Sequence, residues 1–373
     1  MAFSLVEYNS LKTQGLAGQI GYLIEHKFGR DPGVASGTFG AVTPTSLLHL
    51  PTTAATARIK VGGSAEDTTY VGTLTLAAAI TDTETVTIGA KVYTFLDELV
   101  DADGNVHIGA SASATIDNLV DAINLGAGAG TDYATSMTAN VISTSAIAGA
   151  GDTMTLFEDA SAAAATTEAC AQASWGAANT VTGAGAQLVT LFGLDETGAE
   201  TTETLSMRGA LISQETTTTW SRLFRAQVTV SGEYSTAVTA VGANTAAVNI
   251  EDSGGTDWMQ IAANEGQTQH GAFTIPLGWT GYLKSISWTV DSLSTKDADL
   301  RLMVREDMLN VADRMGSKNI KLHWDGVAGS TQLKPDTPML RLPALTDIWA
   351  EASGSGAGTE VSVDFEIELF NKT

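Results

Sequence analysis

The stretch Asp101-Ala102-Asp103-Gly104-Asn105 comes nearest to chemistry, because alternating carboxylates beside a glycine resemble the start of a calcium loop. Such a loop needs Gly at its sixth position and Glu at its twelfth, whereas here Gly104 is fourth and Ala112 is twelfth. A hairpin turn is therefore expected, since Asp and Gly also serve left-handed turn positions. The five histidines, His26, His49, His107, His270 and His323, are scattered. None has a second ligand at HxH or HExxH spacing, so no metal is expected. Gly109-Ala110-Ser111-Ala112-Ser113 lacks the lysine of a phosphate loop, and there is no Gly-x-Ser-x-Gly elbow. Carboxylate pairs for sugar cleavage carry no information in a chain with 42 acidic residues. Trp258, Trp279 and Trp324, near the C-terminal loops, could stack on a glycan or serve as core or interface anchors; the burial habit of large aromatics favours the anchors. These residues predict no catalytic centre, no cofactor and no enzyme activity.

The composition narrows the partners. A formal charge of −23 argues against nucleic acid, which needs clustered Lys and Arg to neutralise phosphates. The chain is 43% hydrophobic and only 16% charged, so it is expected to fold, with its negative surface keeping it soluble. At 373 residues it has room for two or three domains. The lone Cys170 rules out an intramolecular disulfide and is expected to be an inert buried thiol. MAFSLVEYNSLKTQG has no basic region followed by an apolar run, and no window is apolar enough to cross a bilayer, so synthesis in the cytoplasm without an anchor is expected.

The elements that would position these residues are mostly strands. Leu16, Ile20, Leu23 and Ile24 have helical spacing, weakened by Gly15, Gly18 and Gly21, and Phe28 to Gly33 reads as a turn within a Gly-rich arm. Thr56 to Lys60 and Thr68 to Thr75 read as short strands. Gln187 to Met207 reads as a hairpin turning at Asp195, Thr197 and Gly198. It marks the return to a β-domain (1–72 plus 184–255, with the arm) after an insertion at 73–183. That insertion reads as a small α+β module. Thr85 to Ile88 and Lys91 to Phe95 form a hairpin across Gly89-Ala90. Ile116, Leu119, Val120 and Ile123 line one face of a helix capped at Ser111 or Ser113 and ended by Gly126. Lys91 is its only basic residue, so it carries about half the net charge and is expected to sit outermost.

Trp220 to Val230 and Ala246 to Ile250 are further strand candidates, and Gly254-Gly255 with Asn264 to Gln269 read as a junction. The last unit, 256–373, has the cleanest period: Val361, Val363, Phe365, Ile367 and Leu369 alternate with polar residues. Tyr282, Ile286, Trp288 and Val290, and likewise Leu300, Leu302 and Val304, repeat the pattern, with Arg301 and Arg305 on the opposite phase. The expected fold is mainly β: an interrupted N-terminal β-domain, a small α+β insertion, and an antiparallel β-sandwich of jelly-roll type whose core draws on Trp279, Trp288, Trp324 and Trp349.

Several stretches together resemble a family of virion structural proteins of tailed bacteriophages. They are Phe28-Gly29-Arg30-Asp31-Pro32; Gly193-Leu194-Asp195-Glu196-Thr197-Gly198 with Glu200-Thr201-Thr202-Glu203-Thr204-Leu205; Leu223-Phe224-Arg225-Ala226; and Phe273-Thr274-Ile275-Pro276 with Thr280-Gly281-Tyr282-Leu283. They cover most of the chain outside the insertion, which itself looks like an add-on module of phage particle proteins, through Thr85 to Gly89 and Ile108 to Ser111. The motifs are turn-and-strand signatures. The resemblance implies a multimeric component of the particle: a head decoration, cement or fibre protein, or alternatively a tail adhesin that binds a host glycan. Expected partners are further copies of the chain, as a trimer, and other virion proteins such as capsid or tail proteins, with no nucleic acid and no membrane.

Overall fold

A computed structural model describes residues 5–45, 48–51, 53–61, 71–140, 145–148, 152–157, 166–176, 186–207, 213, 215–231, 244, 246–292, 296–308, 318–356 and 358–371. Helix α1 (Leu5–Leu16) precedes β1 (Gly21–Val34), β2 (Gly40–Ala41) and β3 (Ala57–Val61). The module that follows holds β4 (Val71–Leu76), β5 (Thr85–Ile88), β6 (Lys91–Leu96), β7 (Asn105–His107), α2 (Ala112–Asn124), β8 (Ser145–Ala148), β9 (Thr153–Phe157), β10 (Thr166–Ala169) and β11 (Ala173–Gly176). The chain returns through β12 (Ala186–Asp195), β13 (Glu200–Ser206), β14 (Trp220–Ser231), β15 (Val248–Asp252) and β16 (Asp257–Ile261). The last run is β17 (Ala272–Thr274), β18 (Trp279–Ser292), β19 (Ala298–Arg305), β20 (Asn319–Val327), β21 (Gly329–Leu333), β22 (Leu340–Leu342), β23 (Asp347–Gly354) and β24 (Thr359–Asn371). The protein is mainly β, with sheets almost wholly antiparallel.

The C-terminal run forms a two-sheet sandwich. One sheet has the order β1-β24-β18-β21, with β22 also on β18; the other has the order β17-β23-β19-β20. Facing pairs β18/β24 and β19/β23 give it the nested connectivity of a jelly roll. Val361, Val363, Phe365, Ile367 and Leu369 all point into its core, as their alternation predicts. Tyr282 does not. A bulge between Leu283 and Ser285 reverses the phase of β18, so Leu283, Ile286, Trp288 and Val290 face the core while Tyr282 packs under α1. Trp279 and Trp324 lean on the core from its margins, and Trp349 faces outward beneath Leu48 and Leu50.

Two further large cores lie among the described residues. Sheets β13-β12-β14 and β16-β15-β3 enclose Ile59, Leu191, Trp220, Ile250, Trp258 and their neighbours. The tip of the β12–β13 hairpin is built as its residues predict. Asp195 Oδ1 accepts from the N–H of Thr197 and of Ala199 at 2.8 and 3.0 Å, and Gly198 takes φ +84°. The module packs sheets β10-β5-β6-β7 and β11-β4-β9-β8 with α2 around a core running from Leu74 to Ala173. Ser111 caps α2, accepting from the Ala114 N–H, and Leu125 in the left-handed conformation ends it one residue before Gly126.

Strand pairing moves the expected boundaries. β4 pairs with β9 and β11, so the strand read at Thr68 to Thr75, described from Val71, belongs to the insertion rather than to 1–72. Gly254-Gly255 is a reverse turn, with Gly255 at φ +84°, and β16 returns along β15, so residues 257–261 share the second core instead of opening the sandwich.

The N-terminal arm changes both structure and owner. The helix lies earlier than the Leu16-to-Ile24 spacing implies, because Gly18 at φ +70° stops it; Leu23 and Ile24 then enter β1. Phe28 to Gly33 is not a turn but part of β1, which pairs along the sandwich strand β24 rather than with the interrupted domain. Gly29 is required there by close approach: a Cβ would come within 2.4 Å of the Gly271 backbone.

The insertion's separate core yields a prediction. Val61 and Ala186 are buried in the same second core. A chain joining them through a short Gly/Ser linker, without 62–185, should keep a cooperative thermal transition within about 5 °C of the full-length sandwich transition. Aggregation on refolding, seen by light scattering, would show that the scaffold depends on the module.

Candidate functional site

The residues set aside as candidate ligands turn out to hold loops. Asp103 accepts from Lys91 Nζ at 2.7 Å and from the Thr138 N–H and hydroxyl, each at 2.8 Å. The Lys91 bond, followed by the Thr138 bonds, lowers its pKa to about 2. Asp101 accepts from the Ser136 N–H at 2.8 Å, and Gly104 takes φ +91°. Both carboxylates therefore pin residues 136–138 to the β6–β7 loop. Among the described residues no three His, Cys, Asp or Glu side chains form a metal-binding group. Cys170 is buried, its thiol 3.3 Å from Glu84 Oε2, and burial pushes its pKa up.

The three tryptophans do not converge. Trp258 is buried in the second core, with His49 stacked on it at 5.3 Å. Trp279 lies opposite Asn371. Trp324 meets Trp288 edge to face at 5.7 Å, and Trp288 lies opposite Val363. Eight positions along β24 separate these two partners, about 27 Å at the rise of an extended strand.

Structure concentrates instead at the joint between the two β-units. Asp347 on β23 is fully buried. Its Oδ1 accepts from Arg222 Nε of β14 at 2.8 Å and from the Thr274 hydroxyl of β17 at 2.8 Å. Its Oδ2 accepts from Arg222 Nη2 at 3.1 Å and from Arg305 Nε and Nη2 of β19 at 2.9 and 2.7 Å. Arg222 Nη1 donates onward to the Pro51 carbonyl at 2.9 Å. One carboxylate thus ties four strands and the 48–51 segment together. The hairpin tip adds a backbone bond, Leu277 N–H to the Gly198 carbonyl at 2.8 Å.

Beside it Lys27 of β1 is buried. Its ammonium sits 4.8 and 4.5 Å from the ring centres of Phe224 and Phe273 and 3.2 Å from Glu25. Burial lowers its pKa, and burial followed by the nearby Glu25 raises that of Glu200. His270, fully enclosed beside the Lys27 charge, falls to about 4. A third buried charge anchors α1: Glu368 of β24 accepts from the Tyr8 hydroxyl, from Lys12 Nζ at 2.7 Å and from the Tyr22 hydroxyl at 3.3 Å. That bond raises the Lys12 pKa.

Sequence reasoning missed all three clusters. A faint signal existed: Arg305 and Glu368 occupy the polar phase of amphipathic strands, which is normally solvated, and nothing local says that another segment covers that face. Outward from the joint, β1 lacks a strand partner on its outer edge over Gly21–Phe28 among the described residues, and Leu23, Ile24 and Phe28 are each 46% exposed there.

Compared with protein-family models, curated proteins and solved structures, the chain matches none.

Two outcomes test the joint. Asp347→Asn should cost about 3–5 kcal/mol in urea unfolding, because it leaves two guanidinium groups buried without their counter-charge. His270 is neutral in the fold, and the unfolded chain takes up its proton first. Its contribution is whole above pH ~6.5 and is lost as pH falls towards about 4, roughly 3 kcal/mol in all. His270→Gln should flatten that part of the stability–pH curve relative to the parent protein; an unchanged slope would remove His270 as its source.

Proposed function

We propose that this protein is a non-enzymatic structural component of a tailed-bacteriophage particle, a head decoration, cement or fibre protein that acts by assembling, as a closed trimer, with itself and with neighbouring virion proteins. The resemblance carried by the Gly193–Leu205 hairpin and the Phe273–Leu283 stretch supplies the family. The supporting structural observation is the Gly21–Phe28 part of β1: it lies at the edge of a sheet without an outer strand partner among the described residues, with Leu23, Ile24 and Phe28 half in water, while Pro32 and the Arg30 N–H bond to the Gln269 carbonyl close only its far end. A stable monomer normally blunts such an edge with charge, proline or a covering loop, because its unpaired N–H and C=O groups are a template for another chain. Rigid locking of the two β-units, with the acidic module cored separately, suits a scaffold that presents an exposed knob. A tail adhesin built on clustered aromatics is disfavoured by the separation of Trp258, Trp279 and Trp324.

Multi-angle light scattering of the purified protein should give a mass of three chains. Ile24→Asp with Phe28→Asp, both at exposed positions, should shift it towards monomer with an unchanged melting temperature. A wild-type protein that is monomeric at all concentrations, together with no density for it in a cryo-EM map of its particle, would overturn the reading.

A further inference from the structure

Helix α1 is held to the sandwich by little of itself. Among its described side chains only Tyr8 and Leu11 are buried. An isolated helix of twelve residues is marginal in water, so α1 needs a docking site. That site is specific. Glu368 on β24, 2% exposed, accepts from the Tyr8 hydroxyl and from Lys12 Nζ at 2.7 Å, two side chains one helical turn apart. The Tyr8 ring centre lies 5.2 Å from that of Tyr282 and 6.2 Å from that of Phe370. Without α1, this buried carboxylate would keep only the Tyr22 hydroxyl, at 3.3 Å, among the described residues. The occupant must therefore bring a phenol and an ammonium at i and i+4, and α1 is the segment that carries them.

The connection from α1 to β1 is short and exposed. Residues 17–20 form it, and Leu16 to Gln19 are all in water. Backbone bonds from Ala17, Gly18 and Gln19 to the carbonyls of Thr13, Gly15 and Gln14 hold the turn. Gly18 stands in it at φ +70°, where a Cβ would meet nothing within 4 Å, so the turn depends on backbone conformation there and not on packing. Extended, four residues span at most about 14 Å, enough to carry the helix onto an adjoining copy. The strand that follows is the one whose Gly21–Phe28 edge lacks an outer partner, so a copy assembled there lies beside the helix. Exchange preserves every contact of α1 and alters only the link, which is the low-cost route by which identical chains join. Passed on in one direction, each helix makes a head-to-tail contact of the kind that closes into a ring.

We propose that α1 is exchanged between subunits, the helix of one copy docking on Glu368, Tyr282 and Phe370 of the next, an inference that rests on the self-assembly proposed above. Gly15 and Tyr22 report which copy the helix occupies, because they flank the link and a Cβ on Gly15 would lie 2.8 Å from the Tyr22 Cβ. The full-length protein is given Gly15→Cys and Tyr22→Cys, with Cys170→Ser so that no third thiol competes, and is oxidised after assembly. On a denaturing gel without reductant, about half of it or more should run as two or three linked chains, and reductant should return these to one. Gly18→Val alone, which needs no cysteine, forces a β-branched residue to a positive φ in the closed turn only. It should raise association about threefold or more in sedimentation velocity. Assembled protein whose cysteines link only within single chains, or a Gly18→Val change in association below about 1.5-fold, overturns the exchange and leaves the assembly reading standing. A wild type that never assembles removes the assembly reading itself.

Discussion

One buried carboxylate joins the two β-units. Asp347 is held by Arg222 from the interrupted β-domain and by Arg305 from its own sandwich, with Thr274 completing the set. Two cations share one anion away from water, an arrangement that yields little net stability yet penalises any other docking, since each alternative strands a charge in a low-dielectric interior. The two β-units are thereby fixed in one relation. Leu194 and Phe224, from the interrupted domain, complete the sandwich core across the same joint.

The N-terminal arm exploits this joint. β1 runs along the last strand, so the two ends of the described chain lie side by side, and its inward residue Lys27 enters the cage formed by Phe224 and Phe273. The helix before it covers Tyr282 and Phe370 and pairs with Glu368 through Tyr8 and Lys12. A face of the sandwich that would otherwise meet water is closed by a segment more than 300 residues away in sequence. Over Gly21–Phe28 the same arm has no strand partner on its outer side among the described residues.

The module follows another logic. Its core is filled from its own helix and two sheets, and its carboxylates Asp101 and Asp103 are spent on holding its own loop. A self-contained core lets an acidic unit sit within a β-domain without sharing the joint's buried charges.

Local order was legible from residue order. Strand alternation in Val361 to Leu369, the Ser111 cap with its apolar helix face, and the Asp195–Gly198 turn each depend on neighbours within a few residues, and backbone periodicity and capping chemistry determine them directly. The mainly β character and the presence of an insertion followed from the same signals. Tertiary structure alone decided the rest. Phe28 to Gly33 has turn composition, yet Gly29 serves a crossing with Gly271 that no local pattern encodes. Tyr282 changed faces because one bulge reverses the side-chain phase of everything beyond it. Asp347, Arg305, Lys27 and Glu368 look like surface charges until a distant segment covers them, because burial belongs to the pair of surfaces that meet and not to either sequence by itself.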